Sequence, residues 1–173
     1  MDYEAAIDAC GFDCVGTCPA SELRTRTEVR DMCASGRCPV YGNNWACPPH
    51  CGTLEEYAET FAGKTTCYVL QTVVELEDEF DAEGMMAADA LQHKRMRKLA
   101  ELLRPGADAL VLSSGTCDVC PKCSCPDGPC RFPEKQLTSM EAAGLVVGDV
   151  CTSAGIPYNH GKGTIAYTGC LVV

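Results

Sequence analysis

The chain lacks the features that direct a protein to a membrane, to secretion or to a nucleic acid. It opens MDYEAAIDAC, without the basic segment and apolar stretch of a secretory signal. No stretch approaches the ~20 apolar residues that a membrane span needs. The formal net charge of −10 argues against the basic surface that nucleic acid requires. We therefore expect a cytoplasmic protein with no membrane and no nucleic-acid partner.

Familiar cofactor motifs and repeats are also missing. The C-x3-C-x3-C run of Cys10, Cys14 and Cys18 departs from the C-x3-C-x2-C loop of radical-SAM enzymes. The segment HGKGT lacks the spacing of a phosphate-binding loop. With neither repeats nor low-complexity tails, the 173 residues are expected to form a single domain, 1–173, able to bury a core without disulfide staples.

Cysteine, by contrast, is abundant, at 15 of 173 residues. In a cytoplasmic protein, clustered thiols are more often metal or redox ligands than disulfides. An odd number of cysteines also prevents complete pairing within one chain. A disulfide knot and a reduced loop without metal remain as alternative interpretations.

The most concentrated group of thiols lies in loop 115–133, within CDVCPKCSCPDGPCRFP. Cys117, Cys120 and Cys123 follow the C-x2-C-x2-C spacing with which bacterial ferredoxins begin to bind a [4Fe–4S] cluster. The proline and glycine residues turn the chain and oppose a helix. The fourth ligand must be Cys125 or Cys130, and we favour Cys130 because the intervening Pro126–Pro129 loop gives it reach.

A second group lies in loop 33–52, CASGRCPVYGNNWACPPHCG. Its predicted ligands have the spacing C-x4-C-x8-C-x3-C and are Cys33, Cys38, Cys47 and Cys51. His50 is an alternative ligand to Cys51. Trp45, the only tryptophan, either covers the site and excludes water or packs in the core.

The remaining cysteines are interpreted as structural. Cys10, Cys14 and Cys18 are predicted to be small buried thiols in a packed turn, with additional ligands as the alternative. Cys67 falls in a strand pattern, and Cys151 and Cys170 are predicted to lie in the core.

The patterns between these groups predict an α/β (or α+β) fold, a small mixed sheet flanked by helices. Thr53 and Glu56 form a capping box at the start of helix TLEEYAETFA, and β-branched residues predict a strand over 66–74. A helix then follows up to Pro105-Gly106, with Met86, Ala90, Leu91, Met96, Leu99 and Leu103 as its apolar positions and His93 on its polar face. The segment SELRTRTEVR is expected to be a surface segment or an edge strand.

The strand ADALVLSSG leads directly into loop 115–133. Strand, helix and strand in this order make a βαβ-like unit, which places the loop at the carboxyl end of the sheet. A short helix around Cys151 and a closing strand, TIAYTGCLVV, complete the prediction.

Three segments make the chain resemble a known family. RDMCASGRCPVYGNNWACPPHCGTLEE, QTVVELEDEFDAEGMM and SGTCDVCPKCSCPDGPCRFPEKQLTSMEAAGLVV resemble predicted metal-binding proteins of anaerobic bacteria and archaea, described as a domain of unknown function. The resemblance runs from about Cys10 to the C-terminus and implies a cysteine-ligated, iron–sulfur centre.

The family's recurring cysteines match Cys33, Cys38, Cys47, Cys117, Cys120, Cys123 and Cys130. Cys51 falls where relatives often have cysteine, and Cys125 where many have an aromatic residue, which favours Cys130 as a ligand. Ala143 stands where a tyrosine is common, and Cys14 and Cys18 are departures from the family pattern.

Three functions compete on this basis. The first is a redox accessory or electron-transfer protein with two [4Fe–4S] clusters and a redox partner protein. The second is an enzyme, a small-molecule reductase, lyase or desulfidase, whose N-terminal cluster has an open iron site for a substrate. The third is a zinc-stabilised binding module. The sequence leaves the reaction, the partner and the oligomeric state open.

Overall fold

A four-stranded sheet forms the centre of the fold in this computed structural model, which describes residues 2–103 and 107–173. Its strands are β1 (Cys14–Pro19), β2 (Thr66–Glu75), β3 (Leu110–Leu112) and β4 (Thr164–Val172), in the order β1-β2-β4-β3. All neighbouring strands pair antiparallel. The expected mixture of helices and strands is confirmed, and the sheet proves to be antiparallel rather than mixed.

Helices cover both faces of this sheet. In chain order they are α1 (Tyr3–Cys10), α2 (Thr27–Ala34), α3 (Leu54–Ala62), α4 (Ala82–Leu103) and α5 (Val147–Ser153). On one face, Ile7 of α1 and Met96 and Leu99 of α4 pack against Leu70 and Leu171. On the other face, side chains of α3 and α5 pack against β1, β2 and β4. The central strands are therefore buried on both sides.

The chain from β2 through α4 to β3 follows the predicted βαβ-like path. β2 and β3 run in the same direction because both are antiparallel to β4, which lies between them. At Gly169 of β4 a Cβ atom would lie 2.7 Å from both the Leu112 carbonyl oxygen and Met96 Cε, so this close packing requires glycine. β3 then ends at Leu112, and the predicted loop follows at this end of the sheet.

Most local predictions agree with the structure, with one helix missed. The capping box is present, since Thr53 Oγ1 accepts from the Glu56 amide and Glu56 Oε2 from the Thr53 amide. The prediction that SELRTRTEVR is a surface segment is confirmed, but its last four residues begin the helix α2, which was not predicted. No side chain of α2 is fully buried, so no stripe of core residues marks the helix.

The orientation of α4 also differs from the prediction. Met96, Leu99 and Leu103 are buried as expected, but Met86 is 73% exposed. His93, predicted on the polar face, is only 5% exposed because it faces the cysteine loop that follows β3. The predicted stop at Pro105-Gly106 lies outside the described residues. Among the described residues, no helix is both long enough and apolar enough to cross a membrane.

Candidate metal centre

The C-terminal cysteine group lies in a loop that is closed at its base. The Ser113 amide donates to the Thr138 carbonyl at 2.8 Å, and the Met140 amide donates to the Ser113 carbonyl at 3.0 Å. These two bonds hold the ends of the loop together at the edge of the sheet. The intervening chain up to Phe132 consists of turns and bends without a helix or strand.

Four thiols of this loop line one small cavity of about 20 Å³. They are the predicted ligands Cys117, Cys120, Cys123 and Cys130. Cys125 is instead buried with its Sγ 3.5 Å from the Gly42 carbonyl oxygen. The structure therefore separates Cys125 from the four cysteines that sequence reasoning grouped together.

The N-terminal group takes its thiols from a helix and from the turns that follow it. Cys33 lies in α2, while Cys38, Cys47 and Cys51 lie in the turns before α3. Burial and then the charges of neighbouring thiolates raise the pKa of Cys47 to about 12. The neighbouring thiolates responsible are Cys38, Cys51, Cys33 and Cys117. Cys47 is thus the buried centre of this group, and its neighbours include the first thiol of the other group.

Direct hydrogen bonds join the two cysteine segments. Asn44 Nδ2 donates to the Cys117 carbonyl at 3.0 Å, and Trp45 Nε1 donates to the Gly128 carbonyl at 3.0 Å. In the other direction, Gln136 Nε2 donates to the Trp45 carbonyl at 3.1 Å. The two groups are consequently one continuous thiol-rich region, which their separation in the sequence did not reveal.

Trp45 and His50 occupy the boundary of this region. Trp45 lines the cavity of the C-terminal thiols, the position expected of a residue that excludes water. The exposed His50 ring packs edge-on against Trp45, with ring centroids 4.9 Å apart. Cys51 is half-buried, with its Sγ 3.9 Å from the Ala142 carbonyl oxygen.

A polar network around the buried His93 lies beside the first thiol of the C-terminal group, and local sequence patterns do not reveal it. His93 Nδ1 lies 3.0 Å from Asp118 Oδ1, and Arg97 also pairs with Asp118, the residue after Cys117. Burial acts to raise the pKa of Asp118, but the contacts with His93 and Arg97 outweigh it and hold that pKa below its usual value. The network ties the start of the loop to α4.

Arg30 is the second functional candidate that sequence reasoning missed. It lies three residues before Cys33 on α2, and its Nη2 donates to the carbonyl of Gly52, next to Cys51, at 2.6 Å. Its Nε is buried without a hydrogen-bond partner in the part of the chain described. A basic residue at i−3 from a candidate ligand is the signal that points to such a side chain.

The other cysteines lie apart from these groups. Cys18, Cys67 and Cys170 sit on one face of the sheet, where Cys18 lies directly opposite Cys67, and Cys151 packs over them from α5. A hydrogen bond with Cys67 and burial raise the pKa of Cys18, so it stays a protonated, unreactive thiol. The core assignments of Cys67, Cys151 and Cys170 are confirmed by their 0% exposure.

The three N-terminal cysteines are on regular elements rather than in the predicted packed turn. Cys10 is buried at the end of α1 against the opposite face of the sheet. Cys14 and Cys18 lie on β1, with Gly16 between them. A Cβ at Gly16 would lie 2.6 Å from the Ala154 carbonyl oxygen, so glycine there lets α5 approach the strand.

All fifteen cysteines are free thiols. In the described ranges, no three His, Cys, Asp or Glu side chains are arranged to hold a single metal ion as they stand. A donor set made only of thiols suits soft or borderline metals and iron–sulfur clusters. Since the cavity of the C-terminal group is small, binding a larger group there requires the loop to open around it.

The antiparallel α/β framework and its two adjoining thiol groups define a cysteine-rich protein of the metal-binding class. Residues 16–173 match the family model described as "Predicted metal-binding protein (DUF2284)", and the chain belongs to this family. The resemblance found in the sequence is thereby confirmed at the level of metal binding. No curated protein and no solved structure matches the chain.

Proposed function

We propose that the protein binds two [4Fe–4S] clusters and serves in electron transfer or as a redox accessory protein in anaerobic metabolism. Cys117, Cys120, Cys123 and Cys130 would hold one cluster, and Cys33, Cys38, Cys47 and Cys51 the other. The observation that carries the proposal is the single cavity lined by the first four of these thiols, with Cys125 turned away.

Bound clusters supply one-electron chemistry, and the protein sets the conditions for it. Trp45 covers the C-terminal thiols and limits the access of water. The hydrogen bonds from Asn44 and Trp45 keep the two cysteine segments together. The free state of all fifteen cysteines is consistent with a reducing compartment, and we place the protein in the cytoplasm.

A redox partner protein would approach the exposed side of the C-terminal loop. Arg131, beside Cys130, donates to the Lys122 carbonyl at 2.8 Å, and Phe132 is 41% exposed. Lys135 lies over the Phe132 ring at 5.6 Å. An aromatic side chain among cationic groups fits an acidic protein surface.

Anaerobic purification followed by iron and acid-labile sulfide analysis tests the proposal. We expect a brown protein with broad absorption near ~400 nm and about eight iron and eight sulfide per chain. A colourless protein that contains zinc would contradict it and favour the structural binding module. A substrate-dependent change in the EPR signal of one cluster would instead favour the enzyme with an open iron site.

A further inference from the structure

Within the described part of the chain, Arg30 differs from the other partly buried arginines in having no carboxylate partner. Arg95 pairs with Asp13, and Arg97 pairs with Asp118. Arg30 forms no ion pair with any of the residues that the structure describes. Its only hydrogen bond there is the one to the Gly52 carbonyl, a neutral group.

The guanidinium group of Arg30 is partly buried, and a partly buried cation is stabilised by a negative charge nearby. Withdrawing a cation from water is costly unless an anion or several hydrogen bonds compensate for it, and here Nε has no partner. The groups around Arg30 that become anionic on metal binding are the thiols of Cys33 and Cys51. Cys33 follows Arg30 by three residues on α2, so the two side chains share one face of the helix. The Gly52 carbonyl, to which Arg30 Nη2 donates at 2.6 Å, adjoins Cys51.

We propose that Arg30 is the built-in counter-charge of the N-terminal metal centre and raises its reduction potential. This inference rests on the proposed iron–sulfur function. A thiolate-ligated cluster carries net negative charge, and reduction adds one more electron to it. A fixed positive charge beside it favours the reduced state, most strongly where water is excluded. Glu141, whose charge acts on Cys33 in the opposite sense, forms no ion pair with Arg30 among the described residues.

Among the described residues, no arginine or lysine beside the C-terminal group is both unpaired and shielded from water. Arg97, the nearest arginine on α4, is neutralised by Asp118, and Arg131 is exposed to solvent, where screening weakens its effect. The tuning by Arg30 is therefore expected at one centre only. A change in the potential of one centre alone would distinguish the effect of Arg30 from a general change in folding.

The test is a redox titration of the anaerobic holoprotein, followed by EPR, for Arg30→Gln, Arg30→Lys and the matched control Arg37→Gln. Arg37 is exposed and adjoins Cys38 in the same segment. In Arg30→Gln we expect one of the two centres to become about tenfold harder to reduce, a fall of 59 mV for one electron, with the other unchanged. Arg30→Lys restores most of the potential, and Arg37→Gln leaves both potentials close to the wild-type values.

Each other outcome counts against the inference. If Arg30→Gln keeps its iron and both potentials, Arg30 is not the counter-charge. If Arg30→Gln loses iron, Arg30→Lys must restore the iron and the potential, because it keeps the charge; failure to do so would overturn the inference in favour of a purely structural hydrogen bond. A wild-type protein without iron and sulfide would refute the proposed function itself, a result that the metal analysis separates from the potentials.

Discussion

The C-terminal group draws its four predicted ligands from one loop closed at Ser113, whereas the N-terminal group combines Cys33 of α2 with thiols from the turns before α3. The first is a local arrangement in which spacing along the chain decides which thiols meet. The second depends on where a helix is placed. The lesson is that closely spaced cysteines in one loop can be grouped from the sequence, whereas the arrangement of the widely spaced N-terminal cysteines depends on the fold.

The two groups also differ in how the positive charges beside them are balanced. On the C-terminal side, Arg97 is paired with Asp118, so its positive charge is balanced, and His93 contacts the same carboxylate. On the N-terminal side, Arg30 has no balancing carboxylate within the described chain. The same kind of donor thus sits in two electrostatic settings, and each of the following experiments tests one part of that difference.

The largest effect is expected at Cys130, with Cys125 as the matched control in the same loop. Cys130→Ser removes a predicted ligand and should lower the iron content of the anaerobically purified protein from about eight to about four per chain. Cys125→Ser, five residues away, should keep all the iron because this thiol lies against Gly42 outside the cavity. Equal losses in the two variants would show that the loop's ligands are wrongly assigned.

Replacing Asp118, the carboxylate that pairs with Arg97 beside the C-terminal group, should destabilise the fold and shift the reduction potential of the C-terminal centre. Asp118→Ala leaves the buried His93 and the half-buried Arg97 without their shared acceptor and should cost about 1–2 kcal/mol of unfolding free energy, measured by chemical denaturation. Asp118→Asn keeps an acceptor oxygen and should cost less. Because it also leaves Arg97 unbalanced, it should raise the potential of the C-terminal centre, the opposite sign to Arg30→Gln at the N-terminal one.

An unchanged C-terminal potential in Asp118→Asn would mean that Arg97 is too well solvated to act on the thiols. The contrast between the two groups would then lie in burial rather than in charge. The N-terminal potential serves as the internal control in the same titration.

Local signals in the sequence predicted much of this architecture. The capping box of Thr53 and Glu56 and the β-branched run of β2 gave α3 and β2 correctly, since both depend on neighbouring residues. α2 was missed because none of its side chains is fully buried, so no stripe of core residues marks it. His93 was placed on the polar face by its Lys and Arg neighbours, whereas its partner Asp118 comes from a segment 25 residues further along the chain.

In the candidate site, too, some features follow from local spacing and others depend on the fold. Short spacing grouped Cys117, Cys120 and Cys123, while the reach of the loop and the family resemblance favoured Cys130 as the fourth. The structure places all four around one cavity. The contact between the two cysteine segments joins residues 73 and 83 positions apart, and no pattern of local spacing contains such information. Charge compensation at Arg30 is hidden for the same reason, because it depends on which carboxylates the fold brings near.

A buried cysteine outside both groups serves as the control for iron loss at the predicted ligands. Cys170 is 0% exposed on the sheet and is predicted to bind no metal. Cys170→Ala should therefore lower stability by about 1–2 kcal/mol through the cavity it leaves, with the iron content unchanged. Iron loss in this variant at temperatures where it remains folded, checked by circular dichroism, would mean that the core thiols take part in metal binding.

The smallest effect should come from the contact that joins the two groups. Trp45→Phe keeps an aromatic ring over the C-terminal thiols but removes the indole N–H that donates to Gly128, which should cost about 1 kcal/mol in chemical denaturation. We expect both centres to retain their iron during purification. When a chelator is added, the C-terminal centre should lose iron faster than the N-terminal one, because Gly128 belongs to the C-terminal loop.

His50→Ala, which removes the ring packed against Trp45, is the matched control and should leave both rates of iron loss close to wild type. Faster loss from the N-terminal centre would instead mean that Trp45 supports its own segment, and that the two groups are independent despite their contact.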